Sequence, residues 1–133
     1  MDVPDGFVPF ESQGPFLELV GPVHVREGGG DLAFGLRAEE RHTNHRGTVQ
    51  GGLLSTFADF ALGRAIEADA EDDKDRATVS LTVDYLRPAQ PGDWIESRAR
   101  VDRVGATLAF ADCSLTVDER EIVRARAVWV VAG

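Results

Sequence analysis

The chain is 133 residues long, with 43% hydrophobic and 28% charged residues, an ordinary balance for one globular domain with a real core. Its net charge of −9 excludes nonspecific nucleic-acid binding, which needs clustered lysine and arginine. Cys113 is the only cysteine, so no internal disulfide forms, and no apolar run reaches the roughly 18 residues of a membrane helix.

The first 15 residues hold three prolines and two glycines and predict an irregular or short helical lead-in to a single domain spanning 1–133. The start, Met-Asp-Val-Pro-Asp, has no basic region or signal core, so the expected compartment is the cytoplasm. Phe16 to Arg26 reads as a strand interrupted at Gly21-Pro22, and Gly28-Gly29-Gly30 as a turn. Leu32, Phe34 and Leu36 then alternate with Ala33, Gly35 and Arg37, which is strand periodicity. Glu39 to Thr48 reads as a polar loop.

From Gly51 to about Ala68, Leu53, Leu54, Phe57, Phe60, Ala61, Leu62, Ala65 and Ile66 cover most of a helical circumference, which predicts a buried helix. Glu67 to Arg76 is an acidic connector. Val79, Leu81, Val83 and Tyr85 alternate with Thr78, Ser80, Thr82 and Asp84 until Pro88 stops the run. Trp94 to Val104, Leu108 to Val117 and Ile122 to Val131 complete the strands, with a hairpin turn at Asp118 to Glu121. Four consecutive strands with short turns predict an antiparallel meander, and a single apolar helix must be covered by it. Cys113, Trp94 and Trp129 are expected to be packing residues.

Chemistry concentrates between Asn44 and Asp59. A glycine-rich loop enters the helix through Gly51-Gly52, and a helix start offers unpaired N–H groups and a positive dipole end to a developing oxyanion. Asp59 then sits between Ala58 and Phe60, where a carboxylate needs a partner or a task. The structural alternatives are an Asp59 bridge to Arg64, tight packing at the glycines, loop closure by Asn44 and an ordinary strand role for Thr78. No nucleotide loop, metal-ligand cluster or Ser-His-Asp elbow is present in the sequence.

Asn44, Gly47, Gly51, Gly52 and Asp59, with the run Thr78 to Ala89 before Gly92-Asp93 and with Arg103-Val104-Gly105, resemble the hotdog-fold acyl-CoA thioesterases of the phenylacetate-degradation and hydroxybenzoyl-CoA types. The resemblance implies an α+β hotdog fold, a curved antiparallel sheet around one long helix. It implies hydrolysis of an aryl- or medium-chain acyl-CoA, with coenzyme A part of the substrate and no separate cofactor or metal. The Gly51 N–H would hold the carbonyl oxygen. Asp59 would activate water or attack directly, and Asn44 and Thr78 would hold water or substrate. Gly52, Arg87 and Arg103 are substrate-binding candidates, the arginines (Arg46 among them) for the CoA phosphates. The chain departs from the family at Gln50, which stands where the family has histidine and cannot carry a proton. That departure keeps non-catalytic acyl-CoA binding on the same fold in view; a hydratase or dehydratase is the least favoured role, since the catalytic histidine it needs is not evident in the sequence. His42 and His45 lie nearby and are expected to be solvated loop residues.

Helix geometry adds a constraint. Gly51 and Asp59 are eight residues apart, so they lie about 12 Å apart along the axis and point about 80° apart. One chain cannot bring both to one reacting carbon. The expectation is a homodimer with shared sites, able to pair again into a tetramer.

Overall fold

The computed structural model describes residues 2–11, 14–28 and 31–132. The expected α+β architecture is present. A 20-residue helix, α2 (Gly51–Ala70), lies against a seven-stranded antiparallel sheet. In chain order the strands are β1 (Val8–Pro9), β2 (Val23–Gly28), β3 (Asp31–Arg37), β4 (Arg76–Tyr85), β5 (Trp94–Val104), β6 (Leu108–Val117) and β7 (Arg120–Val131). A short helix, α1 (Pro15–Val20), precedes β2. Leu54, Phe57, Ala58, Ala61, Leu62 and Ile66 of α2 pack on Phe34, Leu36, Ile95, Ala111, Leu115 and Val123 of the sheet to form the core. Among the described residues no helix is long and apolar enough to cross a membrane.

Three expectations change. Residues 16–20 are helical rather than the first half of a strand, because Pro15 at the first helical position pre-sets the backbone angle; only the stretch from Val23 onward is extended. Gly29 and Gly30 of the expected turn lie outside the described residues. The acidic connector is also shorter than its composition suggests, since α2 runs on to Ala70 and stops at Glu71, whose φ is +52°.

The third change concerns order across the sheet, which is β1-β2-β3-β5-β6-β7-β4. Of the four strands after α2, only β5, β6 and β7 form a meander. β4 pairs with β7 and not with β5, so it ends up as an edge strand. The two-residue connection Asp118-Glu119 has positive φ at both positions, the left-handed hairpin geometry that matches strand twist.

The outer face of the sheet is divided. Over β5 to β7 it carries charge rows such as Arg100–Asp112 at 3.0 Å. Over β2, β3 and β5 it is covered by the lead-in, where Phe7 meets Trp94 edge-on at 5.1 Å. Gly35 makes this possible, since a Cβ there would sit 2.0 Å from Trp94 Cζ2. Residues 33–36 are therefore buried on both faces of the strand. Gly35→Ala is expected to lose about 1–3 kcal/mol by overpacking, and to lose less in a Trp94→Leu background, as read from urea unfolding of the double-mutant cycle.

Candidate active site

The helix start is unusually open. Gln50 occupies the N-cap position with no side-chain cap bond. Its carbonyl accepts the Leu53 and Leu54 N–H groups at 3.0 and 3.4 Å. The N–H groups of Gly51 and Gly52 find no acceptor among the described residues, as the first residues of a helix cannot find one within it. The Gln50 side chain is exposed beside a groove formed by Gly52, Leu53, Thr56, Phe16 and Val20. On the other side of the helix start, Gly51 borders a groove with Asn44, Arg46, Tyr85, Leu86 and Arg87.

Asn44 closes the loop before the helix. Its Oδ1 accepts the Arg46 and Thr48 N–H groups at 2.9 and 3.3 Å, and its Nδ2 donates to Thr48 Oγ1 at 3.0 Å. The residue still lines the Gly51 groove, so loop closure and a place at the site coexist. The expectation that His42 is a solvated loop residue is wrong. It is buried: the Glu39 N–H donates to Nδ1 at 2.9 Å, which places the proton on Nε2 for donation to the Val20 carbonyl at 2.6 Å. Arg41 donates to the Leu19 carbonyl at 2.8 Å and also to that of Gly21. The last carbonyls of α1 are thus held by the loop that leads into α2, and α1 is fixed as the wall of the Gln50 groove. Arg41 also holds the Glu39 carboxyl below its usual range by hydrogen bonding. With both ring nitrogens engaged, His42 does not stand in for a histidine at position 50. His45 is exposed.

Asp59 lies two turns along α2, half-buried in a groove with Phe16, Thr56, Phe60, Gly63, Arg64 and Trp129. Its partner is Thr78, whose Oγ1 donates to Asp59 Oδ1 at 2.7 Å. The alternative bridge to Arg64 is not made, for Arg64 pairs with Glu67 at 3.0 Å. One carboxylate oxygen is therefore oriented and the other has no partner among the described residues. Within one chain, Gly51 and Asp59 border separate grooves.

The substrate-binding candidates scatter. Arg87 donates to the Glu121 carbonyl at 3.1 Å and shares the Gly51 groove with Arg46. Arg103 is exposed at the far end of β5, at the level of Val128 on β7, whereas Arg87 lies beside Ile122. Six strand residues separate those levels, about 20 Å. Arg87 and Arg103 of one chain do not meet one phosphate group.

Two residues that sequence reasoning passed over belong here. Tyr85 Oη donates to the Gly51 carbonyl at 3.1 Å and also bonds Ser55 Oγ. The strand alternation placed Tyr85 on one face with Leu81 and Val83, but nothing in it marked that face as the one toward the helix start. Among the described residues no group of three or more His, Cys, Asp or Glu side chains is placed to hold a metal ion.

With this geometry in hand, the thioesterase superfamily profile matches residues 46–123, more than half of the chain. The chain belongs to the thioesterase superfamily. It is 42% identical over 130 residues to the esterase-like protein PA0474 of Pseudomonas aeruginosa, with 97% of each chain covered. It is 36% identical over 81 residues to mouse acyl-coenzyme A thioesterase 13, covering 61% of this chain and 57% of that one. Zebrafish thioesterase superfamily member 2 superposes with a TM-score of 0.76 at 30% identity, covering 83% of this chain and 81% of the other. The Escherichia coli phenylacetate-operon protein PaaI superposes at 0.79 and 18% identity over 89% of this chain and 84% of that one, which shows the shared hotdog fold. The chain is a thioester hydrolase by family.

Three outcomes follow from these contacts and from burial. His42→Leu leaves the Val20 carbonyl and Glu39 N–H unpaired, so it is expected to lose about 2–3 kcal/mol in denaturant unfolding. His45→Ala should stay within about 0.5 kcal/mol of the parent. Burial pushes the Cys113 thiol up to about 12, so it is expected to resist thiol reagents at pH 8 and to label only in denaturant.

Proposed function

We propose that this thioesterase hydrolyses acyl-CoA esters carrying an aryl or medium-chain acyl group, with each site shared between two copies of the chain. The observation that carries this reading is the layout of β4. Thr78 touches Asp59 and Tyr85 touches Gly51, so one strand holds both halves of the site seven residues apart. Residues seven apart on a regular strand face opposite sides. The bulge between Thr78 and Ser80 shifts the register, so both face α2.

β4 is also an edge strand of ten residues, exposed along most of its length, with Val79 58% exposed. Long unguarded edges pair with other strands. With Val79 bulged out of the ladder, antiparallel pairing of β4 with its copy about a two-fold axis at Thr82 sets Thr78 of one chain opposite Tyr85 of the other. Asp59 of one protomer then approaches the Gly51 helix start of its partner, which removes the 12 Å obstacle found within one chain.

In the reaction, the thioester carbonyl oxygen lies at the Gly51 N–H, where the helix dipole favours the charge that develops. Asp59 either takes a proton from water as it attacks the carbonyl carbon or attacks that carbon itself. The carbon–sulfur bond breaks and CoA leaves as the thiol after protonation; on the water route the acyl group departs directly as the carboxylic acid, and on the direct route a water then hydrolyses the acyl–Asp59 anhydride, releasing the acid and restoring the carboxylate. Thr78 orients the Asp59 carboxylate in either role. Arg46 and Arg87 flank the helix start on the side open to anions and suit the CoA phosphates. A structural neighbour from Streptococcus pneumoniae, alike in fold at a TM-score of 0.75, was solved with coenzyme A. Phe16, Leu53, Phe60 and Trp129 offer apolar walls for the acyl group.

Binding without turnover is the second reading, favoured by Gln50 and by a His42 that is already engaged. One experiment separates the two and tests the shared site. Asp59→Asn and Gly51→Val are each expected to lose turnover of an acyl-CoA panel; in the second, the new side chain meets the Tyr85 ring 3.2 Å from its Cβ. Mixing the two inactive proteins under conditions of subunit exchange should restore about a quarter of wild-type activity, since half the dimers are mixed and half their sites are intact. Recovery of nothing from demonstrably mixed dimers places both groups in one chain. Tight CoA-ester binding with no wild-type turnover makes the protein a binder.

A further inference from the structure

We infer that Tyr85 is a positioning residue that fixes and polarises the first peptide group of α2, making the Gly52 N–H a second donor to the oxyanion beside that of Gly51. This rests on the thioesterase reading above. The Gly51 carbonyl and the Gly52 N–H are two ends of one peptide group. Tyr85 Oη–H donates to the first, and the second has no acceptor among the described residues and lies at an exposed position. A carbonyl that accepts a hydrogen bond draws electron density through the amide, so its N–H becomes a stronger donor. The tyrosine has one hydroxyl proton. With that proton on the Gly51 carbonyl, Ser55 Oγ–H donates to Tyr85 Oη. The chain of donors runs from Ser55 through Tyr85 and the Gly51–Gly52 peptide and ends at the ligand.

The fixing is as important as the polarisation. Two successive glycines give this backbone wide freedom, and Gln50 supplies no side-chain cap to restrain it. The Tyr85 bond supplies the restraint from outside the helix, on the carbonyl end of the peptide, and leaves the N–H that a cap would occupy free. The glycine at 51 admits it, because a Cβ would lie 3.2 and 3.3 Å from Tyr85 Cε1 and Cζ. Tyr85 in turn occupies this place because it ends β4, and it is 53% exposed along the Gly51 groove with its hydroxyl turned to the helix. A residue kept only for packing would need no hydroxyl there.

The test is Tyr85→Phe in the full chain, which keeps the ring and removes the donor, measured beside Ser55→Ala and Asp59→Asn with one acyl-CoA substrate. The expected result is a fall in kcat of about tenfold for Tyr85→Phe, the amount one hydrogen bond of ordinary strength supplies. KM and inhibition by free CoA should stay within about twofold, because a donor strengthened for the oxyanion acts in the transition state. Ser55→Ala should fall less, in the same direction. Wild-type turnover that is lost in Asp59→Asn but unchanged in Tyr85→Phe overturns the inference alone. So does a Tyr85→Phe protein whose melting temperature drops while kcat and KM shift together, since that marks a packing role. Turnover absent from the wild type, or retained in Asp59→Asn, overturns the reading beneath it as well.

Discussion

The bulge in β4 is the constraint on which the site depends. A regular strand through Thr78 and Tyr85 would send one of them to the outer face, and either Asp59 or the Gly51 carbonyl would lose its partner. One extra residue between Thr78 and Ser80 turns both inward. The same bulge leaves Val79 outside the alternation and exposed at the edge of the sheet. A local break in the ladder thus aims two side chains at one helix and leaves an edge that a second copy can cover. A single backbone irregularity governs both the site and the surface that completes it.

The helix start carries the opposite kind of constraint, an interaction withheld. Serine, threonine, aspartate or asparagine at position 50 would accept a bond from one of the orphan N–H groups, that of Gly52 or Leu53, and stabilise α2 by about 1 kcal/mol. The chain has Gln50 there, followed by two glycines, each weaker than alanine in a helix. Local stability is lower, and the donors stay free for a ligand. Stability is regained elsewhere, by the buried face of α2 (Leu54, Phe57, Ala58, Ala61, Leu62 and Ile66) and by the loop that precedes it. Arg41 and His42 tie α1 to that loop, Asn44 closes its far side, and the Val49 N–H bonds the Ala89 carbonyl at 2.9 Å. The flexible part of the sequence is therefore held at both flanks, so the free N–H groups point one way without a cap.

Much of the fold was legible along the chain. Alternation found β3 and β4, runs bounded by turns found the other long strands, the apolar run found α2, and the glycine pair followed by an aspartate found the site's two ends. What failed, failed for identifiable reasons. Residues 16–20 are apolar enough for strand or helix, and five residues are too few for periodicity to decide. The place of β4 beside β7 depends on which edges meet when the sheet closes over α2, a choice that the connection between Leu86 and Asp93 does not announce. His42 looked like one more polar loop residue, because its burial comes from α1, 22 positions earlier.

The residue types and their spacing along the chain determined which groups are available: free amides at Gly51 and Gly52, a carboxylate two turns on, and a helix apolar enough to be wrapped by a sheet. Those are local properties of backbone geometry and side-chain polarity, so a linear reading suffices. Which side chain answers each group was decided only by the folded sheet. Thr78 reaches Asp59 and Tyr85 reaches Gly51 because a bulge changes the facing of a strand, and register between distant segments is set by packing rather than by either segment alone.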